Sequence, residues 1–131
     1  MKAVRRGDIF HRFFQTTMPP KHKFFVIVGE DENNYVGYFF INSNINRFVA
    51  RNEEMNNMQF PIKPADYPFL VYQSFIAGHE LATLSKSDLI AELSNGITQL
   101  KGRMKPEDLE MLLNAANQSP LFSPKEKSYF K

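Results

Sequence analysis

The chain has 131 residues, which suits one domain, since chains divide at roughly 100–200 residues per domain. Apolar residues make up 43% and charged residues 23%, an ordinary globular balance, and the absence of cysteine excludes a disulfide scaffold, a thiolate zinc site, an iron–sulfur cluster and a thiol nucleophile. A net charge of +2 permits a nucleic-acid partner without requiring one, and His11, His22 and His79 lack metal-ligand spacing, so neither metal nor cofactor is expected.

In chain order, residues 8–14 (Asp-Ile-Phe-His-Arg-Phe-Phe) predict a strand. The segment 18–23, with Pro19 and Pro20, is expected to be a loop, because prolines remove ladder donors. The unbroken apolar run 24–28 predicts a central strand buried on both faces. It is also far shorter than the roughly 20 residues that span a bilayer. After a polar turn at 29–34, residues 35–41 predict a third strand, with Gly37 as a bulge or bend. Residues 42–46 break it. The stretch 47–57 is ambiguous, with room for a short strand at 47–50 and one helical turn at 53–55. Residues 59–62, containing Pro61, suit an edge strand, and 69–76 predict a further strand.

The second half turns helical. Ser85 and Asp88 form an S-x-x-D capping signal for a helix to about Ser94, stopped by Asn95-Gly96. Residues 97–104 predict a last strand. Pro106, Glu107 and Asp108 then open a helix whose buried stripe is Leu109, Leu112, Leu113 and Ala116. The whole is a single domain, 1–131, with a core at about 5–118 and a C-terminal tail at 119–131, of which 123–127 is expected to be exposed. The charged start, Met1 to Arg6, leads into no apolar signal core, so a cytoplasmic location is expected.

Few residues invite chemistry. Lys21-His22-Lys23 places two ammonium groups around an imidazole, a set that can grip a phosphate and move a proton near neutral pH; an exposed hairpin tip is the equal alternative. Asn42-Ser43-Asn44 offers amide and hydroxyl donors at a strand end, or plain turn chemistry. Tyr72 is either a stacking platform or core. His79 and Glu80 read as surface loop. Thirteen phenylalanines exceed what a small barrel interior holds, which predicts a subunit interface.

The order of these pieces resembles the MazF/PemK/Kid family of toxins from bacterial toxin–antitoxin systems. Arg6-Gly7-Asp8-Ile9 is similar to its RGDI opening, and the basic loop into Phe24-Phe25-Val26-Ile27-Val28 to its loop and RP-x-V-V-V strand. Residues 36–43 resemble its third strand with a terminal hydroxyl residue. Residues 69–84, followed by Ser85-Lys86-Ser87-Asp88-Leu89, resemble its D-Q-x-R-T segment and helix start. Residues 100–109 resemble its closing strand-to-helix unit. The resemblance covers about 5–118. It implies a mainly β fold, a small SH3-like antiparallel β-barrel with a short helix and a C-terminal helix. It further implies a homodimer, metal-independent endoribonuclease action on single-stranded RNA, and a cognate antitoxin whose disordered tail covers the RNA groove.

On this resemblance the basic residue opening the second strand falls on Lys23 or His22, and the hydroxyl residue on Ser43 or neighbouring Asn42. The late Arg-x-Asp pair falls near Tyr72 and Ser74. His22 is then the proton-transfer group, base rather than acid because flanking lysines repel a second charge. Lys21 and Lys23 stabilise charge, Ser43 and Asn42 position the phosphate, and Asn44 and Tyr72 contact RNA. The alternative is a non-catalytic barrel of the same lineage that binds nucleic acid or a protein partner.

Overall fold

The structure, a computed structural model, describes residues 4–15, 20–42 and 51–130. It is mainly β: among the described residues seven antiparallel strands curl into a half-barrel, consistent with a small β-barrel, with short helices around it. The strands are β1 (Asp8–Phe14), β2 (Lys21–Glu30), β3 (Asn34–Asn42), β4 (Gln59–Ile62), β5 (Ser74–Ala77), β6 (Ala82–Ser85) and β7 (Gln99–Arg103). The helices are α1 (Glu53–Asn57), α2 (Lys86–Asn95), α3 (Pro106–Gln118) and α4 (Pro124–Lys127), the last running into a 3-10 turn at Ser128–Phe130. Among the described residues, no helix is long and apolar enough to cross a membrane.

The sheet runs β4-β5-β3-β2-β1-β7, and β6 also pairs with β3. The first part of β3, Asn34 to Gly37, faces β6, whereas Phe40 to Asn42 face β5, so the sheet divides along this one strand and curls. The irregularity expected at Gly37 sits on its partner: the β2–β3 register slips between Ile27 and Gly29. Gly37 itself is a point of close approach. A Cβ there would lie 2.0 Å from the Val26 carbonyl oxygen and 2.6 Å from the Phe25 ring, so only glycine lets β2 and β3 meet.

Strand alternation sorts the apolar residues into two clusters. Ile9, Val26, Val28, Tyr38 and Phe40 turn to a large core that Met58 at the end of α1 completes together with Ile62 of β4, Ile76 of β5 and Leu112 and Ala116 of α3. Phe10, Phe14, Phe25 and Ile27 turn the other way, against Tyr35, Leu84 and Leu89 of α2. The run 24–28 is therefore buried on both sides, as its composition predicts. The phenylalanines also find their places inside. Among those described, only Phe13 is exposed, so their number no longer argues for a subunit interface.

Local signals set most boundaries. Ser85 caps α2 by accepting from Asp88 N, and Gly96, at φ 75°, closes it in the left-handed conformation that favours glycine. Pro106 opens α3, which buries Leu112 and Ala116 of the expected stripe and packs the partly buried Leu109 and Leu113 against the core.

Three expectations need correction. Lys21, His22 and Lys23 belong to β2, not to a loop, because β1 runs on to Phe14 and supplies their ladder; Pro20 precedes the strand and costs it no internal donor. The strand expected over 69–76 shrinks to β5. Its first half follows turns in which Asp66 N and Tyr67 N donate to Lys63 O and Leu70 N to Tyr67 O, and this path sinks Tyr67 and Leu70 into the core. The core does not stop at about 118: Phe122 and Phe130 of the tail are buried against Tyr38 and each other, while residues 123–125 between them are exposed as expected. Two buried phenylalanines are worth roughly 1.5–3 kcal/mol apiece, enough to dock so short a segment. Ser43, Asn44 and the strand considered at 47–50 lie outside the described residues.

Candidate active site

The ends of β1 and β2 nearest residues 15–20 form an antiparallel ladder in which Arg12 opposes Lys23, Phe13 opposes His22 and His11 opposes Phe24. Side chains alternate across such a ladder. His11 and Phe13 thus share one face with His22 and Phe24, while Arg12 and Phe14 share the other with Lys21 and Lys23. The ring contacts agree. His11 and His22 stack with centroids 5.3 Å apart and planes 21° apart. His11 meets Phe24 at 4.8 Å and His22 meets Phe13 at 5.2 Å.

This breaks up the basic constellation expected from the sequence. His22 is not flanked by Lys21 and Lys23 in space; the pleat sends both lysines to the opposite face. The argument that they keep His22 neutral therefore fails. On their own face, Lys23 Nζ lies 5.4 Å over the Phe39 ring, and burial, aided by the charge of Lys21, lowers its pKa. Arg12 is fully engaged: Nε and Nη2 donate to the two carboxylate oxygens of Glu92 at 2.7 and 2.9 Å, and its guanidinium lies 4.9 Å from the Phe14 ring centre. Thr98 Oγ1 also donates to Glu92, at 2.7 Å. These bonds hold the Glu92 carboxyl below its ordinary range, chiefly through Arg12. A cleft of about 480 Å³ opens beside this pair, lined by Phe14, Ser85 and Asp88 among others. Its strongest cation is already spent on fastening α2 to β1.

The imidazole face is different. His11 is half-buried and His22 exposed. Among the described residues, no protein hydrogen bond engages either ring. Burial lowers the His11 pKa, and the charges of His22 and Lys101 lower it further, so His11 is neutral below ordinary histidine pH. The β1–β7 register slips between Ile9 and Phe10, leaving Lys101 as the extra residue between Leu100 and Gly102, and it is from this position that its charge acts on His11. Phe69 closes one side, 5.1 Å from Phe24. The set comprises two imidazoles, one ammonium group and aromatic surface, with Phe13 40% exposed.

Other sequence-predicted residues fall elsewhere. Asn42 ends β3 and pairs with Ser74 of β5. Tyr72 is exposed, on the β4–β5 connection three residues after Phe69, so its ring is open to stacking. Ser74 is buried and its hydroxyl donates to Tyr72 O. His79 is a structural residue: Gln59 Nε2 donates to its Nδ1 at 2.7 Å and burial lowers its pKa. Asp8 of the RGDI-like opening is also structural, accepting from Arg103 Nε at 2.9 Å and from Arg5 N at 2.8 Å, which ties β1 to β7.

The residues that sequence reasoning missed are His11 and Lys101. A hairpin centred between residues 15 and 20 would have aligned 13 with 22 and 11 with 24, and that register was the available signal for His11. No comparable signal marks Lys101, because its position depends on a slip between strands distant in sequence. In comparison with known proteins, the chain matches no family model and no curated protein.

Proposed function

We propose that this chain is the toxin component of a toxin–antitoxin system of the MazF/PemK kind, cutting single-stranded RNA without a metal ion on the His11–His22 face. The observation that carries the reading is the pair itself: two imidazoles side by side, one half-buried and one exposed, neither hydrogen-bonded among the described residues, with the charge of Lys101 acting on His11. Metal-independent cleavage requires a base for the 2′-hydroxyl, an acid for the 5′-oxygen and positive charge at the pentavalent phosphorus. His11, kept neutral by burial, takes the 2′-proton. The 2′-oxygen attacks phosphorus, the bond to the 5′-oxygen breaks, and protonated His22 delivers its proton to that oxygen. A 2′,3′-cyclic phosphate and a 5′-hydroxyl result, and exchange with water restores both rings. Lys101 supplies charge to the phosphate, and Phe13, Phe24 and exposed Tyr72 offer surface for bases. The homodimer, the antitoxin and the cytoplasmic setting belong to the same proposal and rest on the sequence resemblance.

The test is incubation of single-stranded RNA with the protein in EDTA. Fragments ending in 2′,3′-cyclic phosphate and 5′-hydroxyl are expected. Intact RNA that is nonetheless bound would sink the catalytic reading in favour of the binding module, and 5′-phosphate ends would exclude this chemistry.

A further inference from the structure

The two imidazoles have a second capacity besides proton transfer. Two imidazoles on one tetrahedral ion, with metal–nitrogen bonds of about 2.0–2.1 Å, hold their ring centres about 5 Å apart. The centroids of His11 and His22 are 5.3 Å apart. With neither ring held by a hydrogen bond among the described residues, each can turn about its broad terminal torsion and bring a nitrogen to a shared point. The rings project from adjacent strands of one sheet, so the backbone fixes their spacing.

We propose that His11 and His22 form a two-imidazole site for a divalent transition-metal ion of the Zn²⁺ or Cu²⁺ type, and that the bound ion shuts the site. Ion and substrate need the same lone pairs: a nitrogen that ligates metal neither accepts the 2′-proton nor carries one to the 5′-oxygen. Imidazole nitrogen favours Cu²⁺, Ni²⁺ and Zn²⁺ over the hard ions Mg²⁺ and Ca²⁺, which take oxygen ligands. With only two protein ligands and Lys101 opposing a further positive charge, the ion is a reversible occupant, its remaining positions filled by water. Among the described residues no third histidine or carboxylate joins the pair. The blocking half of this inference rests on the ribonuclease reading; the binding half does not.

The experiment is calorimetric titration of the intact protein with Zn²⁺ in buffer without chelator, with Mg²⁺ as control. One Zn²⁺ per chain is expected, with affinity weakened at least about tenfold by His11→Ala or His22→Ala and unchanged by His79→Ala. No heat above the Mg²⁺ control, or binding indifferent to both substitutions, would overturn the site. Should a variant fail to fold, Cu²⁺ on the wild-type protein decides: splitting of its paramagnetic resonance by two imidazole nitrogens supports the pair, and any other nitrogen count refutes it. Added Zn²⁺ should also stop RNA cleavage with the same concentration dependence. Cleavage that persists at saturating Zn²⁺ refutes the block. RNA left uncut in EDTA refutes the ribonuclease reading alone, because the Zn²⁺ isotherm is measured without RNA.

Discussion

On one face of the β1–β2 ladder, His11 and His22 stand among Phe13 and Phe24 with no hydrogen bond from the described residues on either ring; on the other, Arg12 is clamped by Glu92 and Lys23 lies over Phe39. Both faces carry titratable groups at the same end of the same hairpin. They differ in what those groups already do. Arg12 spends its bidentate geometry on fastening α2 to the sheet, and Lys23 covers an aromatic ring. The imidazoles pack on aromatic rings, but among the described residues their nitrogens hold no hydrogen bond, which is what availability for chemistry requires. The richer display of positive charge is thus the structural side, and the plainer side is the candidate for catalysis.

The largest expected effect falls on the frame both faces share. Gly37→Ala drives a Cβ into the Val26 carbonyl and the Phe25 ring, both of which belong to β2. A loss of about 3 kcal/mol or more is expected in urea unfolding, with both faces disordered together. A soluble variant of near wild-type stability would mean that the β2–β3 contact is looser than described.

Glu92→Ala separates the faces. It leaves Arg12 without its partner and should cost about 1–2 kcal/mol, below the figure for fully buried pairs because water reaches both side chains. RNA cleavage per folded molecule should not change. The same pair gives a pH signature. Because the folded Glu92 carboxyl titrates below its ordinary value of 4.5, its contribution is complete above that value and is lost as pH falls through the lower, folded one. The difference in stability between wild type and Glu92→Ala should therefore shrink on acidification below about pH 4.5 and hold constant above it. A difference that grows on acidification would contradict the assignment.

A smaller effect distinguishes the two sets of cations. If Lys101 touches a phosphate, Lys101→Ala should lower the log–log salt slope of RNA affinity by about 0.7. The double substitution Lys21→Ala, Lys23→Ala should leave the slope unchanged, since both side chains turn away from the imidazoles. A slope that falls for the double variant alone would move the RNA to the opposite face.

How far the sequence foretold all this depends on the reach of each signal. The capping serine of α2, the glycine that ends it, the proline that opens α3 and the continuous apolar run of β2 are local, and each appears where it was expected. The start of β2 was misread because Pro19 and Pro20 announce a break, whereas strand membership of Lys21 is decided by a partner, Phe14, seven residues earlier. Phe122 and Phe130 sit in a polar stretch without periodicity, so nothing local marks them as core. The candidate site was legible only in part for the same reason. His22 stands out beside two lysines in sequence, but the pleat separates them and register delivers His11 instead. Ser43 and Asn44 lie outside the described residues and keep the roles the resemblance implies for them, as part of the proposal.

The central claim is that the imidazole pair, and not the basic run around it, moves the protons. Single-turnover cleavage of one single-stranded RNA by His11→Ala, by His22→Ala and by the Lys21→Ala, Lys23→Ala double variant tests it most directly. Losses of about 100-fold or more are expected for each histidine variant, with the two changes combined costing little beyond either alone because they act as a unit. The lysine variant should cleave within about twofold of wild type. The reverse pattern, histidine variants at full rate and the lysine variant inactive, would contradict the account.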